Sequence, residues 1–415
     1  MPLSALESRL TAAIARRAPA LLEDLRLHVA LPTGWNNASA LNESRQRFAD
    51  RCAALGAVQT LIPPGCRLAW LHDGSASAPQ HAAPPTAINR RIRTASSANS
   101  SSPGKAILIA GHLDTVHDPA GPFNALSIAP DGKTAVGPGC VDMKGGLVIA
   151  MHALEALDEV GIPADWSFLL NSDEETGSYY SDRALRDEAA SGRYACCLAL
   201  EPAMAKGELA IERGGSGQFM FQAAGRAAHV GRDPQSGISA VDALARVILA
   251  AHAANDYPAG RVINIGPLQC TSPANVVADH AAAWGNVRFK DPAGQQAVTE
   301  ALTRAAQSAA PAIRDGLPRI TLSTSFNRPA KPQTPGTLTL AHAARSAAED
   351  LGQALPFASS GGVCDGNITQ DAGLPTIDTL GVRGGGLHTP QEWIDLSSLV
   401  ERCQLLALLI ARLAG

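Results

Sequence analysis

The chain has 415 residues, 46% of them hydrophobic and 17% charged, with a formal net charge of -4 at pH 7. That length exceeds one ordinary core and predicts two domains, while the small negative charge gives no argument for nucleic acid or an anionic membrane surface as partner. No run approaches the roughly 18 uninterrupted apolar residues of a bilayer span, and the eight cysteines, with no C-x-x-C pair, predict neither a disulfide framework nor a zinc knuckle.

The N-terminal stretch carries early charges and no apolar secretory core, which with the thiol usage predicts a cytoplasmic location. Apolar residues at helical spacing (Leu10, Ile14, Leu21, Leu22, Leu25) predict one or two helices over 4–31, and 41–55 predicts another, stopped by Gly56. Strand-like pieces follow at 58–61 and 67–71. Residues 75–104, rich in Ser, Ala and Pro, read as a loose surface excursion with one strand at 87–92. Ala106-Ile-Leu-Ile-Ala between two glycines then predicts a strand buried on both faces, ending at His112 and Asp114.

From there one grammar repeats. Gly137-Pro-Gly-Cys-Val-Asp142-Met-Lys-Gly-Gly146 is a glycine-rich loop opening a helix over 147–160. Strands at 166–170, 194–200 and 375–380 run into Glu174-Glu175, Glu201 and, later, His388; a helix over 396–413 closes the chain. Strands alternating with helices predict an α/β, doubly wound, mostly parallel sheet. Between 207 and 328 the order changes to strands at 208–211, 218–223, 261–265, 281–289 and 320–325 around helices at 240–254 and 295–309. That order suits a ferredoxin-like α+β domain inserted into the first. The expected division is 1–207 with 328–415, and 208–327.

Ligands gather outside the carboxyl ends of the strands in such sheets. His112, Asp142, Glu175, Glu201 and His388 form one set of metal ligands there: two imidazoles and three carboxylates suit zinc, with cobalt or manganese as substitutes. A short Asp in a glycine loop can lend one oxygen to each of two ions. Glu174 is the natural general base, and Asp114 is better placed to orient His112 than to bind metal. Taken singly, each has another reading: an acidic turn for Glu174-Glu175, a helix cap for Asp142, a helix N-terminal carboxylate for Glu201, a loop histidine for His388.

The motifs His112-Leu-Asp-Thr-Val, Gly-Pro-Gly-Cys-Val-Asp142-Met-Lys-Gly-Gly, Asp173-Glu-Glu-Thr-Gly, Glu201-Pro and Gly-Leu-His388-Thr-Pro-Gln-Glu resemble, in order and over nearly the whole chain, the di-zinc metallopeptidase family. That family includes glutamate carboxypeptidase, aminoacylase-1, acetylornithine deacetylase and succinyl-diaminopimelate desuccinylase. The resemblance implies two zinc ions per subunit bridged by Asp142, with His112 and Glu201 on one and Glu175 and His388 on the other. It implies Glu174 as base and proton donor, supported by Asp114. Gly225-Arg-Ala-Ala-His229 resembles the segment whose His reaches across a homodimer to the partner's site, so the inserted domain is expected to dimerise. Asn275, Arg288 and Arg328 are candidate substrate contacts, the arginines as carboxylate clamps, and Gly361 and Gly362 belong to a turn lining the pocket.

Ala278 and Asn286 depart from residues common in that family, Pro and Asp. Glu at position 201 goes with carboxypeptidases and N-acyl amino acid hydrolases rather than dipeptidases. The expected activity is hydrolysis of an N-acyl amino acid or C-terminal amino acid conjugate, in the manner of glutamate carboxypeptidase. The alternatives are a deacetylase or desuccinylase, a dipeptidase, and a metal-free binding relative.

Overall fold

The computed structural model describes residues 2–71, 84–92, 105–308 and 314–415. Most of the 75–104 excursion, and Ala309 of the expected 295–309 helix, lie outside the described residues.

Ala106–His112 is buried along its whole length. It runs parallel between Trp166–Asn171 and Tyr194–Ala199, and Thr376–Ile377 adds a further parallel strand. Thr86–Arg91 and Val58–Ile62 close the other edge antiparallel, giving six strands. The two-residue period divides the strand between two layers. Ile107 and Ile109 join a core with helices Ala5–Arg16, Lys144–Val160 and Ser397–Ala414, while Leu108 and Ala110 join one with Leu185 and Ile368 on the other face. Helices on both faces explain why these strands read as unbroken apolar runs.

Local chemistry fixes the helix ends. A reciprocal Ser4–Glu7 capping box starts the first helix. Gly161, left-handed at φ 75°, closes Lys144–Val160. At that helix's start a Cβ on Gly146 would lie 2.3 Å from the Leu200 carbonyl oxygen, so only glycine lets it sit directly on the strand that delivers Glu201.

Beyond Arg213 the chain runs strand Gly215–Ala224, helix Ala240–His252, strands Val262–Gln269 and His280–Phe289, helix Pro292–Ser308 and strand Arg319–Arg328. The four strands form one antiparallel sheet in the ferredoxin-like order 262–269, 280–289, 215–224, 319–328. Phe219, Phe221, Leu244, Val247 and Leu302 lie in a core of their own.

Three features depart from the sequence reading. Leu209–Arg213, expected with the inserted unit, pairs instead in parallel with Phe357–Ser360. Residues 67–71 form a turn, in which Leu71 N–H donates to the Leu68 carbonyl, and not a strand. Helices Asp182–Ala189, Pro335–Asp350 and Asp365–Asp371 had no sequence signal: the first is short and largely charged, and the second buries mostly alanines, which mute the apolar contrast. No helix among the described residues is long and apolar enough to cross a membrane.

His28, in helix Ala18–Val29, is buried and stacked on Phe48 with ring centroids 4.5 Å apart. Burial pulls its pKa down to about 4, against the pull of Asp24. Between the unfolded value of about 6.5 and that folded value, the unfolded chain holds a proton that the folded one lacks. The His28 contribution to stability is therefore intact above pH 6.5 and shrinks as the pH falls through this window. Other groups titrate here too, so the check is a difference. The gap in unfolding free energy between parent and His28→Phe should widen in the variant's favour by about 2 kcal/mol from pH 7 to pH 5 in denaturant titrations. A gap that does not move with pH would refute it.

Candidate metal centre

His112 ends the central strand, beside Asn171 of its neighbour. Its Nδ1 lies 2.9 Å from the Asp114 carbonyl oxygen. With the proton on Nδ1, Nε2 presents a bare lone pair, and 3.3 Å from it stands Asp142 Oδ1. Both atoms are buried and neither has a hydrogen-bond partner. Two acceptors facing each other in a dry site require a cation or a proton between them. Burial disfavours the charged His112, yet its contacts with Asp114 and Asp142 hold its pKa well above the ordinary value.

Asp142 turns its second oxygen to the other imidazole: Oδ2 is 3.5 Å from His388 Nε2, which is also 3.2 Å from Glu175 Oε2. Ligand atoms of His112, Asp142 and Glu175 lie within 4.8 Å of one another. Glu201 is buried and lines a cavity of about 390 Å³ with Asp142, Glu174, Glu175 and His388, but stands outside that tight group. Burial and the charges of Glu174 and Asp142 push its pKa well up, and burial takes Glu175 up to about 8, helped by Asp142 and opposed by His388. His388, half-exposed, is raised to about 10 by Asp142 and Glu175. Carboxylates that raise one another's pKa beside two imidazoles are the donor set a divalent cation relieves. The residues fit a metal.

Asp114, fully buried, ties the site together through its carboxylate. Oδ1 accepts from Glu174 N–H at 3.2 Å and Oδ2 from Glu175 N–H at 2.9 Å. His112 bonds the Asp114 carbonyl more closely than its carboxylate, which is 3.4 Å away. Arg328, read from sequence as a substrate clamp, is already engaged: Nη1 donates to Glu174 Oε1 at 2.6 Å, and Nη2 to the Glu174 carbonyl at 2.9 Å and Ser178 Oγ at 2.6 Å. Burial raises the Glu174 pKa and Arg328 opposes the rise.

Sequence reasoning missed Glu392. Its buried carboxylate accepts from the N–H groups of Gly139 (2.8 Å), Val141 (2.9 Å) and Asp142 (3.0 Å), and lies 2.6 Å from His117 Nε2. One side chain thus fixes the loop that carries Asp142. The only signal was its place in the Gly-Leu-His-Thr-Pro-Gln-Glu motif.

A second cavity, of about 530 Å³, meets the centre at Glu174, Glu175 and His388 and is walled by Trp35, Tyr179, Arg288, Arg328 and Gly362. The Arg288 guanidinium donates to Asn286 Oδ1 at 3.1 Å and pairs with no carboxylate among the described residues. Gly361 is the neighbour of Gly362 in the wall. His229 and Asn275 lie in and beside the small ladder Ala228–His229 with Val276–Val277; both are exposed and neither lines the two cavities.

The sequence profile described as peptidase family M20/M25/M40 matches residues 108–412. Carboxypeptidase G2 of Pseudomonas sp. strain RS-16 is 28% identical over 321 residues, 75% of either chain. Succinyl-diaminopimelate desuccinylase 2 of Shewanella loihica is 26% identical over 333 residues, 74% of this chain and 84% of the relative. Among solved structures, a tripeptidase of Staphylococcus aureus superposes with a TM-score of 0.73 at 20% identity, covering 96% of this chain and 98% of that one. That superposition speaks for the fold alone.

Proposed function

Because the chain belongs to peptidase family M20/M25/M40, and is thereby a metal-dependent hydrolase of peptide or amide bonds, we propose that it cleaves an N-acyl amino acid or a conjugate ending in a free amino acid, in the manner of a glutamate carboxypeptidase. The observation that carries this reading is the facing, unpartnered pair His112 Nε2 and Asp142 Oδ1, set beside Glu174 at the mouth of a cavity walled by the carboxylate-free Arg288.

In this reading His112 and Glu201 would hold one zinc ion and Glu175 and His388 a second, with Asp142 shared between them and cobalt or manganese as substitutes. Such ions supply Lewis acidity and ease the ionisation of water. The chain's own residues do the rest. Glu174 takes the proton of the attacking water and gives it to the leaving amine. Arg328 holds Oε1 of Glu174, which leaves Oε2 for that proton. Asp114 fixes the backbone that carries both glutamates. Arg288 receives the substrate carboxylate, against the wall formed by Gly361 and Gly362. His229 and Asn275, exposed and away from this chain's cavities, suit contacts made across a homodimer. We propose the division into 1–207 with 328–415 and 208–327, amended at one point: the pairing of Leu209–Arg213 with Phe357–Ser360 supports counting that strand with the catalytic unit.

The test is elemental analysis of the purified protein together with a hydrolysis screen of folate-type glutamate conjugates, N-acetyl and N-succinyl amino acids, and dipeptides. About two zinc ions per chain, with chelator-sensitive release of a free amino acid from the conjugates, is the expected result. Release from N-succinyl substrates alone would move the reading to a desuccinylase. No metal and no hydrolysis after adding zinc, cobalt or manganese would end it.

A further inference from the structure

A cleft of about 460 Å³ opens between the loop that follows Glu201, the turn at 351–354 and the first turns of the closing helix, and shares no lining residue with the two cavities at the metal centre. Its charged residues are Lys206, Arg383, Glu401 and Arg402. Glu401 is taken by Arg383, 2.6 Å away, and Arg383 also holds Asp395 at 2.8 Å. The other two cations have no such partner among the described residues.

Arg402 is only 2% exposed. Its Nη2 donates to the Gly207 carbonyl at 2.7 Å, but its Nη1 is buried and bonded to nothing, and no carboxylate forms an ion pair with it among the described residues. A guanidinium buried without a counter-ion is strongly disfavoured, and burial already pulls its pKa down to about 10. Lys206, exposed at the rim, likewise makes no ion pair among the described residues. Glu401 attracts Arg402 from a distance and the Glu208 carboxylate accepts from the Lys206 N–H at 2.8 Å, but among the described residues neither cation head has a carboxylate in ion-pair contact, and both line one volume.

We propose that this cleft binds a small oxyanion of the phosphate class, either inorganic phosphate or the head of a phosphate monoester, through Arg402 and Lys206. Two unpaired cations match a dianion better than a single carboxylate. The volume exceeds that of phosphate alone and leaves room for an ester.

The experiment is isothermal titration of the metal-loaded enzyme with inorganic phosphate, repeated with glycerol phosphate and with acetate. Saturable binding of the phosphates is expected below about 1 mM, with acetate at least about tenfold weaker. Lys206→Glu, on an exposed residue, should weaken phosphate about tenfold or more. Arg402→Met, which keeps the bulk and removes the charge, should abolish binding. Both variants should keep the parent's hydrolysis rate. Tighter binding of glycerol phosphate than of phosphate would identify the ester as the ligand, and the reverse order the free ion. Phosphate held at the metal centre instead would bind both variants as it binds the parent. That result, or no saturable heat up to about 10 mM phosphate, overturns the proposal. Should Arg402→Met fail to fold, Lys206→Glu alone still decides.

Discussion

Glu174→Gln should lower kcat by about 10²–10⁴-fold while the protein keeps its metal. Gln matches Glu in shape, and its carbonyl can still accept the Arg328 Nη1 bond that Glu174 Oε1 accepts at 2.6 Å. The backbone bonds from Glu174 and Glu175 to Asp114 do not involve the altered group. What the amide cannot do is take up a proton. Because the substitution touches none of the five proposed ligands, elemental analysis should return the parent's stoichiometry, and KM should change far less than kcat. A variant retaining more than about a tenth of the parent rate would remove Glu174 from the role of base. Loss of metal along with activity would instead assign it to the ligand shell.

Glu392→Ala should weaken metal binding about 10–100-fold, the range for residues that hold a ligand without touching the ion. The substitution strands the N–H groups of Gly139, Val141 and Asp142 in a buried loop and leaves His117 without its acceptor. Each buried donor left unpaired costs about 1–3 kcal/mol, so the melting temperature of the chelator-treated protein should fall as well. Glu392→Gln separates the two effects. Its single carbonyl can serve either Val141 and Asp142 or Gly139 and His117, but not both pairs. Its metal affinity, measured by chelator competition, should fall between parent and Ala variant. Parent-like affinity in both variants would show that the loop holds Asp142 without help.

What the sequence made legible was local. His112, Asp114, Glu174, Glu175 and Glu201 stand within a few residues of the ends of apolar strands, where a period-two pattern and a polar break can be read directly. The inserted unit was legible for the same reason, since strand and helix periods alternate through it. The contacts of Arg328 and Glu392 were not legible. Arg328 looked like a free cation because its partners, Glu174 and Ser178, are about 150 residues away and two of its three bonds go to a carbonyl and a hydroxyl. Glu392 bonds mainly backbone N–H groups, which every residue type presents alike, so no pattern of side chains could reveal it. Leu209–Arg213 was misassigned because a short apolar strand carries no mark of its partner, and its partner enters the chain only at Phe357.

The Glu392 contact also bears on when the protein acquires its chemistry. The loop carrying Asp142 precedes its anchoring carboxylate by 250 residues. At about 5–20 residues per second of synthesis, the nascent loop waits on the order of ten to fifty seconds before Glu392 is made, with His388 arriving only just ahead of it. The first unit's sheet can begin to form early, but the loop that carries Asp142 gains its anchor only after residue 392 has been made. A chain cut before residue 388 would lose His388, the Glu392 anchor of the Asp142 loop and the closing helix Ser397–Ala414 together, and with that helix a part of the buried core.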